Sequence, residues 1–149
     1  MAQPSQLAPA GERHRGGRRR RGTALLAVAA TTLALTVAQF ALAGFGAFSM
    51  DKTPTDNAYG AHVVLGVVIG VMTWLTLITV LASRAARAHR RTLWPAVALA
   101  LLALPVEPLL GEVSQHLPGL GALHALTGLA ILALAGWLTG ESARRRAAP

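Results

Sequence analysis

Four uninterrupted apolar runs, at residues 23–50, 61–83, 92–110 and 120–140, constrain this 149-residue chain more than any other feature. Each is close to or above the ~18 to 20 residues that an α-helix needs to cross a hydrocarbon core at ~1.5 Å per residue. Barrel strands would alternate apolar and polar residues over segments of about ten, and these runs do not alternate. In lipid the backbone must satisfy its own hydrogen bonds, which leaves the helix. The runs predict an all-α membrane protein, an up-down bundle of four transmembrane helices at about 23–50, 60–83, 92–110 and 120–140. Composition agrees: 53% of residues are apolar and 13% charged, too little polar surface for a water-soluble fold. The chain has no cysteine, which excludes a disulfide framework, a thiolate metal site and a cysteine nucleophile.

The net charge of +8 is distributed as topology requires. Arginines form three blocks: Arg13, Arg15 and Arg18 to Arg21 before the first run; Arg84, Arg87, Arg90 and Arg91 between the second and third; Arg144, Arg145 and Arg146 after the fourth. Four crossings put all three blocks on one side, and the positive-inside rule makes that side the cytoplasm. The opposite loops agree, with Lys52 against Asp51 and Asp56 in one, and Glu112 without lysine or arginine in the other. The expectation is a multi-pass protein of a bacterial inner (plasma) membrane, both termini cytoplasmic. Its partner is the lipid bilayer; membrane-flanking arginines attract anionic lipid and call for no nucleic acid. Residues 1–22 read as a disordered basic lead-in, 23–140 as the transmembrane domain and 141–149 as a basic tail. A competing reading of the first run is a signal peptide cleaved after Ala41-Leu42-Ala43. Against it, the run continues to about 28 residues, where signal h-regions have roughly 7 to 15.

Loops of about ten residues make sequential helices antiparallel neighbours. Trp94 and Pro95 suit the start of the third helix, with tryptophan at the interface and proline in the first turn. Pro105 and Pro108 are expected to bend or end that helix near its outer side. No internal repeat is evident.

Ionisable residues inside transmembrane segments are costly, so each is a candidate for function. His14 and His89 belong to basic cytoplasmic segments and His116 to an outer loop. His62 and His124 remain, about 22 residues beyond Arg84 and about 20 before Arg144, and so roughly 30 Å above the arginines on the second and fourth helices. Each is followed four residues later by glycine, Gly66 and Gly128, with Gly70 one turn further on the second helix. A haem iron ligated by two neutral imidazoles suits this set, because a flat macrocycle needs small residues where it lies against a helix. The competing account is structural. Gly66-xxx-Gly70 is also a close-packing motif of membrane helices, and a histidine near the membrane boundary can be hydrated.

Gln39 and Glu107 join the same outer half, roughly 24 Å up the first and third helices. All four helices thus contribute a polar group there, whereas the cytoplasmic half is almost purely Ala, Leu, Val and Thr. Glu107 could accept a ring N–H from a haem ligand, orient a quinone or pass protons; alternatively it is a carboxylate reaching interfacial water at a proline-broken helix end. A zinc site of His62, His124 and Glu107 has nothing in the helix spacing to impose tetrahedral geometry. No hydrolase motif, neither H-E-x-x-H nor G-x-S-x-G, is present.

Outer-side histidines on the second and fourth helices make the chain similar to one four-helix half of heme A synthase and, more loosely, to four-helix membrane b-type cytochromes. It also resembles a bacterial family of small four-helix membrane proteins through "QFALAGFGAF" at residues 39–48 and "LHALTG" at residues 123–128. The resemblance implies that His62 and His124 are the axial ligands of a haem b. At two positions the chain departs from the substrate-binding half of heme A synthase: Tyr59 and Val63 stand where that half has a carboxylate and an arginine. The implied role is therefore electron transfer, with a quinone or a membrane redox partner, and not the synthase reaction. The alternative is a structural or interaction subunit with no cofactor.

Overall fold

The computed structural model describes residues 10–49, 60–83, 90–117 and 119–147, with side chains in the first helix described from Gly22 to Ala47. Expectations on Asp51, Lys52, Asp56, Tyr59, Arg84, Arg87 and His89, and on the side chains of Arg13 to Arg21, lie outside the described residues. All regular structure among the described residues is helical: α1 (Ala10–Ser49), α2 (Gly60–Ala82), α3 (Arg90–Leu101), a π-helical turn (Leu102–Val106), α4 (Glu107–Ser114) and α5 (Gly119–Ala147). The middle three run on without a break, so four helices are long and apolar enough to cross a membrane: Gly22–Ala47, Gly60–Ala82, Arg90–Ser114 and Gly119–Ala147.

Several boundaries differ from expectation. Residues 10–22, read from composition as disordered, continue the first helix. Arginine and alanine are good helix formers, and no proline falls between Ala10 and Ser49. Residues 141–147, read as a tail, extend α5. There Glu141 pairs with Arg144 at 2.9 Å and Arg145 at 2.8 Å, the (i, i+3) and (i, i+4) spacings that support a helix. Pro95 sits well inside α3 and not in its first turn. Pro105 and Pro108 do not end the third span. A proline has no N–H for the carbonyl four residues back, and the helix passes Pro105 through a π-turn, in which the Glu107 N–H bonds Leu102 O five residues back. Both prolines are exposed, so the buried line Thr92, Ala96, Leu99 and Ala103 runs on to Glu107.

α1 packs along α2 and α5, and the third span also packs along α2 and α5, which leaves α2 and α5 on a diagonal of the bundle. Contacts between α1 and its neighbours include Thr32 with Thr76, Gln39 with His62, Leu33 with Gly136, and Gly22 with Arg146. The interior is small and partly polar. Ala29, Ala96, Ala100, Ala103 and Ala135 are buried, as are Thr32, Thr36, Thr73, Thr76, Thr92 and Thr127. The outside is large and apolar: Val64, Val67, Val71, Leu75 and Ile78 on α2 are all exposed. Such sorting lets backbones approach closely where lipid removes any hydrophobic drive between helices.

Of these buried threonines, all but Thr92 are satisfied by their own helices. Thr32 donates to Val28 O at 2.9 Å, Thr36 to Thr32 O at 2.8 Å, Thr76 to Met72 O at 2.9 Å and Thr127 to Leu123 O at 2.9 Å. This back-bonding satisfies each hydroxyl without a water. Thr32 and Thr76 also meet across α1 and α2, their oxygens 3.4 Å apart.

Among the described glycines, Gly70 is the one most tightly covered by a neighbouring side chain. A Cβ there would stand 2.5 Å from Leu104 Cδ1 in the π-turn. Gly70→Leu should therefore lower stability by about 1–3 kcal/mol, as overpacking does. Pairing it with Leu104→Ala should restore part of the loss, a coupling measurable as a double-mutant cycle on thermal unfolding in detergent.

Candidate functional site

The polar residues singled out in the sequence fall into one cluster near the start of α2 and α5. His62 and His124 come together across the bundle diagonal, their ring centroids 6.5 Å apart and their planes at 61°. Each imidazole is held through Nδ1 by a backbone carbonyl of a neighbouring helix. His62 Nδ1 is 3.3 Å from Gln39 O, and His124 Nδ1 is 3.3 Å from Glu107 O. With Nδ1 protonated it donates to that carbonyl, which fixes the tautomer and turns Nε2 to the far side of the ring.

The side chains of the same two residues tighten the cluster. Gln39 Nε2 donates to His62 O at 2.9 Å, so α1 and α2 are bonded in both directions at this level. Glu107 Oε1 lies 3.4 Å from His124 Nδ1. Residue counting sets Gln39 and Glu107 about one turn below the imidazoles. Their contacts close that interval. Gln39 Oε1 and Glu107 Oε2 are cut off from solvent and have no hydrogen-bond partner, so the cluster carries two unfilled acceptors. A buried acceptor without a donor is costly, and each of these is a place where a donor would bind favourably.

The glycines border the cluster, each in a different way. A Cβ on Gly66 would stand 3.2 Å from Gln39 Nε2, so the missing side chain leaves room for the Gln39 amide. At Gly128 it would stand 3.3 Å from Phe40 Cζ and 3.4 Å from Glu107 Oε1. A flat group does lie on Gly128, and it is the ring of Phe40. Gly70 lies lower and meets Leu104, outside the polar cluster.

Two participants escaped sequence reasoning. Phe40 was visible only as part of an apolar run. Gly111 packs against the His124 ring, where a Cβ would be 3.4 Å from Cε1. A signal for Gly111 existed: it follows Glu107 by four residues, as Gly66 follows His62 and Gly128 follows His124. The described residues contain no group of three or more His, Asp or Glu side chains placed to hold a metal ion. The paired imidazoles are a two-donor set, suited to an ion whose other positions are filled by something else.

The facing of the two rings has a direct chemical test, made clean by the absence of native cysteine. His62→Cys combined with His124→Cys should be bridged by a short bifunctional thiol reagent and shift in gel mobility. His62→Cys combined with Leu126→Cys, at an exposed position of α5, should not. No protein family, curated protein or solved structure matches this chain.

Proposed function

We propose that the protein is a membrane electron-transfer protein that holds one b-type haem between His62 and His124. The observation that carries this reading is the diagonal pair of imidazoles, each anchored through Nδ1 by a carbonyl. Two Fe–N bonds of about 2 Å, plus roughly 1 Å from each ring nitrogen to its ring centre, call for ring centroids about 6 Å apart. The 6.5 Å separation is close to that. Nδ1-to-carbonyl bonding is also the usual way a ligating histidine is oriented and made more basic. The haem, when bound, supplies one-electron redox chemistry at its iron.

The chain's own residues divide the remaining work. Gln39 O and Glu107 O orient the ligands, and Gly66 and Gly128 are the low walls on α2 and α5. The atoms nearest those walls are side-chain tips: the Gln39 amide at Gly66, and the Phe40 ring and Glu107 Oε1 at Gly128. The unfilled acceptors Gln39 Oε1 and Glu107 Oε2 suit the hydroxyl donors of a quinol, which makes a quinone the electron partner of choice.

The topology proposed with this function is an up-down bundle in a bacterial plasma membrane with both termini cytoplasmic. Contact partners support alternation: along α1 the positions 22, 33 and 39 meet 146 and 136 on α5 and 62 on α2, one number rising as the α5 number falls. The arginine blocks support the orientation. A fluorescent protein fused after the C-terminus should therefore fluoresce in cells, and alkaline phosphatase fused at the same point should be inactive.

A second reading, a structural subunit without cofactor, is favoured by the glycine contacts. Gln39, Phe40 and Leu104 fill the notches at Gly66, Gly128 and Gly70, as packing alone would have it. A reduced-minus-oxidised spectrum of protein purified with a haem supply separates the two. The haem reading predicts an α-band that is lost in His62→Ala and in His124→Ala and kept in His116→Ala, an exposed histidine of the outer turn. Absence of the band in the unaltered protein, or its survival in both site variants, leaves the structural reading.

A further inference from the structure

At the opposite end of the bundle, three side-chain donors have nothing to donate to. Thr92 Oγ1, Ser142 Oγ and Arg145 Nη2 are each cut off from solvent and without a hydrogen-bond partner. Unlike the other buried threonines, Thr92 makes no bond to its own helix. Thr92 and Ser142 are 1% and 4% exposed, which rules out solvent as their partner.

Helix geometry puts the three at one level. Ser142 and Arg145 are three residues apart on α5 and share a face. The Arg145 side chain runs back along the helix, as helical side chains do, and its Nε donates to Glu141 Oε1 at 2.8 Å. Its guanidinium is thereby directed back along α5 toward the level of Glu141 and Ser142. Thr92 is reached from the Glu107–His124 contact by counting back 15 residues on the third span, and Glu141 by counting on 17 along α5. These are roughly 22 Å and 26 Å at ~1.5 Å per residue, in the alternating arrangement proposed above, on which this inference rests. Thr92 and Ser142 both point inward, each at the end of a buried line: Ala103, Leu99, Ala96 and Thr92 on one helix, Ile131, Ala135, Leu138 and Ser142 on the other.

We infer that Thr92, Ser142 and Arg145 form a binding site for a phosphate group at the arginine-rich end of the bundle. Three groups that can all donate, one of them a cation that cannot accept, suit an anion with several oxygens, and charge-assisted bonds from a guanidinium are the strong ones for phosphate. Glu141 does not fill the role, because it engages Arg145 through Nε and Arg144 through Nη2, leaving Arg145 Nη2 unpartnered. Arg144 is turned outward, its guanidinium 5.8 Å from the exposed Trp137 ring. The phosphate can come from an anionic phospholipid headgroup, which belongs at this depth of a membrane, or from free phosphate.

The test uses the full-length protein in a zwitterionic detergent. It is titrated with phosphatidylglycerol dispersed in that detergent, and separately with sodium phosphate against sodium chloride of equal ionic strength, reading the unfolding temperature. A saturable rise is expected, with half-saturation weakened about tenfold in Arg145→Gln and several-fold in Thr92→Val and Ser142→Ala, the loss of charged and neutral hydrogen bonds respectively. Arg144→Gln, which removes the same charge from the outward side, should stay within about twofold. A rise with phosphatidylglycerol alone identifies a lipid as the ligand; a rise with both probes identifies the phosphate group itself. Equal weakening in Arg144→Gln and Arg145→Gln would reduce the effect to general charge and overturn the site, as would no rise with either probe. The unfolding temperature of each variant without ligand reports whether it is folded. No histidine takes part, so this outcome is independent of the haem spectrum.

Discussion

A polar group buried between apolar helices has no water to turn to, and the packing of this chain reflects that constraint. It explains why threonine can populate the bundle interior: a hydroxyl that bonds the carbonyl four residues back is satisfied locally and leaves the helix short of bulk. The same rule makes exceptions informative. Among the described residues the buried side-chain atoms left without partners are Gln39 Oε1 and Glu107 Oε2 at one end, and Thr92 Oγ1, Ser142 Oγ and Arg145 Nη2 at the other. The first pair are acceptors beside two imidazoles. The second group can all donate, beside an arginine-rich segment.

Close packing and site building use the same glycines. Gly70 admits Leu104 and serves packing alone, while Gly66, Gly128 and Gly111 each border a member of the polar cluster. A glycine four residues after a functional side chain lies one turn along the same face, so whatever contacts that side chain also passes over the glycine. Phe40 and Gln39, adjacent on α1, reach over different walls, Gly128 on α5 and Gly66 on α2. α1 thereby covers the glycines on both of its neighbouring helices.

The π-turn shows how a sequence feature can be read correctly in chemistry and wrongly in outcome. Pro105 and Pro108 do remove hydrogen bonds, and that much follows from the residues. Whether the helix then stops depends on where the freed carbonyls find partners. Here the chain passes through a π-turn over Leu102–Val106, and the helical run continues to Ser114. The continuation is what brings Gly111 against His124.

From the sequence alone follow the number of long apolar helices, their approximate limits, the blocks in which the arginines collect and the four polar residues set apart in otherwise apolar runs, because each depends only on composition and spacing along one chain. Helix ends at Ala10 and Ala147 were less legible, since arginine-rich ends are polar enough to read as loop and still propagate a helix, and the end at Ser114 was less legible because two prolines precede it. Tertiary structure alone decided that His62 and His124 face one another at 6.5 Å, that Gln39 serves His62 and Glu107 serves His124, and that Phe40 lies on Gly128. Spacing along a helix places a residue on a face of that helix. Which faces meet, and at what height, is a property of four helices packed together, and no single run of residues contains it.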